Sequence, residues 1–118
     1  MLNKVEELVL TNRTRGEMVC KKILRPKILK EKSRGLIGSD GTHGIYLKTR
    51  WGIHTFGMTF PIDVVVLNKE WTVVQIKKNL KPNTIFFWNP RYADIIEVPS
   101  RIGGNVGIGD TLELYMSS

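Results

Sequence analysis

The stretch from Ile53 to Val66, "IHTFGMTFPIDVVV", sets one histidine, one methionine and one aspartate among apolar and aromatic residues. An imidazole serves as a general base or a metal ligand at neutral pH, and a carboxylate accepting its ring N–H would orient it. His54 and Asp63 are the pair of types that such chemistry needs. Eight residues, Gly57 among them, lie between them, enough chain to fold back and join them. A purely structural role is the alternative for each. His54 would then bond neighbouring backbone, with Thr55 bonding locally in the same turn. Asp63, second in an apolar run, needs a partner if buried, and Arg34, Arg50 or His54 would supply one.

Arg34, Arg50, His54, Asp63 and Lys81 are the residues expected to converge on a polar or anionic ligand at one mouth of a small barrel. The soft metal ligands are His43, His54, Met58 and Cys20, and none has a tight ligand spacing, so neither a metal nor a cofactor is expected. "GGNVGIG" (103–109) lacks the Gly-Lys-Ser/Thr ending of a phosphate loop and precedes a strand, which makes it a turn. Cys20 lies in an apolar run and reads as a buried, inert thiol. Trp51, Phe56, Phe60, Phe87 and Trp88 would line a pocket or stack bases if exposed, but core burial is their default.

The net charge of +7 is unevenly placed. Residues 1–35 carry ten Lys/Arg against four Asp/Glu, and residues 36–118 carry eight against seven. Such a field attracts anions in general, and it makes Lys21, Lys22 and Lys27 the candidates for any nucleic-acid contact. A solvated lysine-rich face is the plainer reading, and no RNP motif, KH loop or helix-turn-helix accompanies the charge.

The elements that must hold these residues are short strands. "ELVLT" (7–11) and "EMVCKKIL" (17–24) form a hairpin around "RTRG", with Pro26 stopping the second strand. "IYLK" (45–48) is a short strand. "IDVVVLN" (62–68) and "WTVVQIKKN" (71–79) are β-branched runs joined by Lys69-Glu70, a second hairpin whose tip faces water. "TIFFW" (84–88), "ADIIEV" (93–98) and "TLELYM" (111–116) complete the set. Lys27 to Ile37 has the spacing of one short amphipathic helix ending near Gly35. The expected fold is a mostly-β, barrel-like domain of about six to eight short strands and one helix.

A chain of 118 residues suits a single domain spanning 1–118, with a core that needs no disulfide. The lone Cys20 and the absence of any CxxC fit a reducing compartment. "MLNKVEELVL" has acids where a secretory signal needs an apolar run, so a soluble, cytoplasmic protein without membrane contact is expected.

"KSRGLIG" (32–38), "GIYL" (44–47), "IHTFGMTFPIDVVVLN", "LKP" (80–82), "ADIIEVP" and "IGDTLEL" follow one another in an order that resembles the family called domain of unknown function 192. The likeness runs roughly from Leu8 to Leu114. Many relatives have Trp-Met-Lys-Asn-Thr where this chain has His-Thr-Phe-Gly-Met. The resemblance implies a small, mostly-β, barrel-like domain with a short helix, and no substrate. The leading functional reading is a small soluble binding module for a polar or anionic ligand around His54 and Asp63. A hydrolase-like enzyme using the same pair as acid and base comes second, for want of a nucleophile or metal set. Nucleic-acid binding through the basic first third comes third.

Overall fold

A computed structural model describes residues 5–26 and 35–116. The described residues form nine strands: β1 (Val5–Asn12), β2 (Glu17–Pro26), β3 (Gly44–Lys48), β4 (Gly52–His54), β5 (Ile62–Leu67), β6 (Val73–Leu80), β7 (Ile85–Phe87), β8 (Asp94–Pro99) and β9 (Leu112–Met116). Seven make one sheet in the order β6-β5-β8-β3-β2-β1-β9, while β4 and β7 pair apart as a two-stranded ribbon. Within the large sheet β2 and β3 run parallel and the other neighbours antiparallel.

The large sheet curls until the starts of its edge strands meet. Thr72 bridges Thr111, the Val73 amide donates to the Asp110 carbonyl at 2.8 Å, and the Leu112 amide donates to the Trp71 carbonyl at 2.9 Å. The result is a half-barrel seamed at one end, with its strand edges covered there.

Side chains alternate along each strand, so the middle of the sheet is apolar on both faces. Val65, Leu67, Ile96 and Val98 join Leu8, Leu10, Ile23 and Leu112 inside the curl. Ile62, Val64, Val66 and Ile95 join Ile45 and Leu47 on the outer face, where Met58, Leu36, Trp88 and the half-buried Ile53 and Phe86 cover them. The ribbon is therefore a lid on the outer face.

The hairpins form for local reasons. In the first, the Gly16 amide closes on the Asn12 carbonyl at 2.9 Å, and Gly16 takes a φ of 69° that a side chain would resist. In the second, Asn68 Oδ1 accepts the amides of Glu70 at 3.0 Å and Thr72 at 2.9 Å, fixing the turn between β5 and β6.

Most of the helix expected over Lys27–Ile37 falls on residues 27–34, outside the described residues. Its described end is not helical: residues 35–38 form a turn, and Gly35 takes a left-handed φ of 59°. No helix among the described residues is long and apolar enough to cross a membrane.

Candidate functional site

The ribbon begins at an unusual turn. The Gly52 amide donates to the Arg50 carbonyl at 3.0 Å, across Trp51 with a φ of 79°. This is the rarer, strained form of the three-residue γ-turn, held at a bulky residue. It leaves the Trp51 side of the turn in water, at 67% exposure. The next position admits only glycine: a Cβ on Gly52 would lie 2.6 Å from the Phe86 carbonyl oxygen and 2.7 Å from Phe87 Cδ1. The Phe87 ring thus lies across Gly52.

Pairing in the ribbon sets Gly52 opposite Phe87, Ile53 opposite Phe86 and His54 opposite Ile85. Ile53 and Phe86 turn toward the core, which leaves Phe87, Ile85 and His54 on the outer side. The His54 ring stacks on the exposed Phe56 with centroids 4.9 Å apart. Trp51, Phe56 and Phe87, expected by default in the core, are instead an exposed aromatic row. Trp88 is buried, and its Nε1 donates to the Tyr92 carbonyl at 2.9 Å.

Thr55 anchors this row. Its buried hydroxyl donates to the Lys81 carbonyl at 2.7 Å and accepts the Thr84 amide at 2.9 Å. Its own amide donates to the Thr84 carbonyl at 2.8 Å, and its carbonyl accepts the amides of Met58 and Asn83, each at 3.0 Å. One threonine thereby ties the end of β4 to the loop entering β7. It also places the exposed Lys81 beside the His54 end of the ribbon.

His54 and Asp63 do not form a pair. His54 Nδ1 accepts the Phe56 amide at 3.3 Å, and no carboxylate of the described residues comes within ion-pair reach of it. Asp63 Oδ1 accepts the Asn79 amide at 2.9 Å and the Ser100 hydroxyl at 2.7 Å. Strand alternation explains the separation. Asp63 shares its side of β5 with Val65 and Leu67, inside the curl, whereas the ribbon bearing His54 covers the opposite face. Asp63 was expected to find a cation. Its partners among the described residues are a backbone amide and a hydroxyl, so it clasps β5 to the end of β6 and to the turn after β8.

Among the remaining candidates, Arg34 and Lys27 lie outside the described residues. Lys21 is exposed and Lys22 sits 4.0 Å from Glu7, both at a β-bulge in β2 where register shifts against β1. Cys20 is buried, and its thiol donates to the Lys22 carbonyl. Among the described residues no three His, Cys, Asp or Glu side chains gather in a metal-binding arrangement.

Of the ligand candidates among the described residues, Arg50 alone lines a cleft of about 560 Å³ that opens at one end of the sheet. Its wall holds Lys48, Arg50, Lys69 and Arg91 against the carboxylates of Glu70 and Asp94. Asp94 is already engaged, accepting the Tyr46 hydroxyl at 2.5 Å and lying 3.0 Å from Lys48 Nζ. Burial and this contact with Asp94 push the Tyr46 phenol well above its ordinary range. Arg50 Nη1 donates to the Pro90 carbonyl at 2.7 Å, and the Arg91 guanidinium lies 5.8 Å from the centre of the Tyr92 ring. The cleft therefore keeps an excess of positive charge facing solvent.

Lys48, Lys69 and Arg91 were not singled out in the sequence. Lys69 was placed only at a hairpin tip, and the Asn89-Pro90 turn that delivers Arg91 was the signal available. Glu97 was missed as well. Its carboxyl lies on the covered face of β8 under the Gly35–Leu36 turn, and burial pushes it up to about 7 against one opposing hydrogen bond from the Leu36 amide.

Two solved structures share this architecture. A protein of unknown function from Novosphingobium aromaticivorans DSM 12444 superimposes with a TM-score of 0.67 at 16% identity, over 92% of this chain and 84% of its own. A candidate transcription regulator from Sinorhizobium meliloti 1021 does so with a TM-score of 0.67 at 18% identity, over 93% of each chain. They share the fold. No family model and no curated protein matches the chain.

Proposed function

We propose that this chain is a small β-barrel binding module that takes a polyanionic ligand in the Lys48–Arg50–Lys69–Arg91 cleft. We place it with domain of unknown function 192 on the ordered strings that carry that resemblance. The observation that supports the function is the cleft itself, where four cations line about 560 Å³ and one of the two acids present is already engaged. Converging cations in a concave site raise the local concentration of anions and hold them by charge-assisted hydrogen bonds. A hydrolase reading through His54 and Asp63 has less support, because the two lie on opposite faces of the sheet and each has other partners.

Isothermal titration with tripolyphosphate tests this. The wild type binds, the double variant Arg50→Glu/Arg91→Glu binds at least about tenfold more weakly, and His54→Ala binds as the wild type does. Asp63→Ala loses stability but keeps its affinity while folded. Equal binding by the charge-reversed variant, or no binding by the wild type, would sink the proposal.

A further inference from the structure

The cationic cleft and the aromatic ribbon are not separate features. Arg50, on the cleft wall, is followed directly by Trp51, which starts the ribbon. At the other strand, β7 runs through Trp88, Asn89 and Pro90 into Arg91, again on the cleft wall. Two hydrogen bonds lock these junctions side by side: Arg50 Nη1 to the Pro90 carbonyl at 2.7 Å, and the Trp88 amide to the Trp51 carbonyl at 3.0 Å. The cations therefore lie off one end of the ribbon, and Lys81 lies beside the other, next to the His54–Phe56 stack.

Folding gives no reason for the row between them. Trp51 and Phe87 are each 67% exposed, Ile85 50% and Phe56 49%, on an element of two three-residue strands. Trp51 also holds a strained backbone that glycine would occupy without cost. Trp71 shares a positive φ of 61°, but it packs against the core beside Tyr46, whereas Trp51 gains no such burial. An exposed, strained tryptophan next to a cationic cleft is placed for a ligand with both flat apolar faces and negative charge.

We infer that the ribbon and the cleft together bind single-stranded nucleic acid, with phosphates in the cleft and bases stacked on Trp51 and Phe87. This rests on the anion-binding reading of the cleft and names its ligand class. Sequence-tolerant binding of single strands combines a positive groove with aromatic platforms, because every base has a π-face. The His54–Phe56 stack continues the platform, and Lys81 offers a further phosphate contact. A duplex keeps its bases inside and gains only from the charges. A lipid surface would meet the same row by inserting it, with headgroups at the cations, and vesicle binding separates that occupant from nucleic acid.

The test is fluorescence anisotropy of the full chain with a labelled oligothymidylate, alongside tripolyphosphate titration. The wild type should bind the oligonucleotide more tightly than a duplex of equal length, with affinity falling as salt rises. Trp51→Gly and Phe87→Ala should each weaken oligonucleotide binding about tenfold while tripolyphosphate binding stays unchanged. Trp51→Gly relieves the turn's positive φ, which favours retention of the fold. Thermal melts of both variants confirm the fold.

Tripolyphosphate binding without oligonucleotide binding would overturn this inference and leave the anion site standing. Loss of both in the wild type would overturn the two together. Trp51-dependent sedimentation with phosphatidylglycerol vesicles, with no oligonucleotide bound, would assign the row to a membrane and overturn the inference.

Discussion

At Glu97 a carboxyl group lies buried where its strand neighbours are Ile96 and Val98, and no cation of the described residues pairs with it. Its ionised form is therefore the costly one. The folded state holds the proton up to about pH 7, while the unfolded chain releases it near 4.5. Between those values the folded state binds more protons, so stability is full below about pH 4.5 and falls as pH rises through 7. The swing is on the order of 3 kcal/mol. Urea unfolding across this range should show it in the wild type, and Glu97→Gln should flatten it and be the more stable protein at pH 8. An unchanged slope in the variant would remove Glu97 from the account. Residue types alone announced that Asp63 needs a partner, but not which. The partner proved to be a backbone amide at Asn79, reached through a register shift between β5 and β6 that no residue type encodes.

The ribbon is the element on which the site depends, and two strands of three residues are too short to persist alone. What holds it is Thr55, whose hydroxyl meets one carbonyl and one amide of the 81–84 loop. Thr55→Val keeps the shape and removes both bonds, leaving buried backbone groups unpaired. It should cost about 1–3 kcal/mol. Hydrogen exchange at the Thr84 amide should quicken before any other strand loosens, and uniform exchange over the whole chain would contradict this hub role. The long strands were legible in the sequence. β5 and β6 stood out because β-branched runs flank a two-residue polar tip, and both strands appear where expected, within a residue or two. β4 was not legible, since Gly52–His54 is too short for a periodic pattern and begins at a residue that disfavours strands. Of the Lys27–Ile37 spacing, only the end can be compared, and there the left-handed φ of Gly35 opens a turn that spacing does not encode.

Over the whole molecule the decisive joint is the seam where the curled sheet meets itself. Asp110 sits in it. Its Oδ2 accepts from Asn12 Nδ2 at 2.8 Å, Arg15 Nε at 2.7 Å and the Gly107 amide at 2.9 Å, while its carbonyl receives the Val73 amide. Led by the bond from Asn12, these donors hold the carboxyl down to about 2 from an ordinary 3.8. Stability from this group is complete above pH 3.8 and lost as pH falls toward 2. Near-ultraviolet circular dichroism in acid should therefore report loss of packing in the wild type below pH 3.8. Asp110→Asn should be less stable at neutral pH and show a weaker acid transition, and an unaltered transition would place the acid-sensitive joint elsewhere. The barrel-like class was readable from the number and spacing of strands. The seam was not, because it joins residues such as Val73 and Asp110, at the two edge strands, which no local pattern links.

The three tryptophans stand at three depths: Trp88 at 5% exposure, Trp71 half-covered beside Tyr46, and Trp51 at 67%. Their emission is consequently graded, and a quencher dissolved in the solvent reaches Trp51 before the other two. Iodide, drawn in by Arg50 and its neighbours, should quench that indole more strongly than caesium, which the same charges repel. The molecule thus carries an optical probe of the electric potential at the mouth of its own cleft, and any anion that settles there will screen it from iodide.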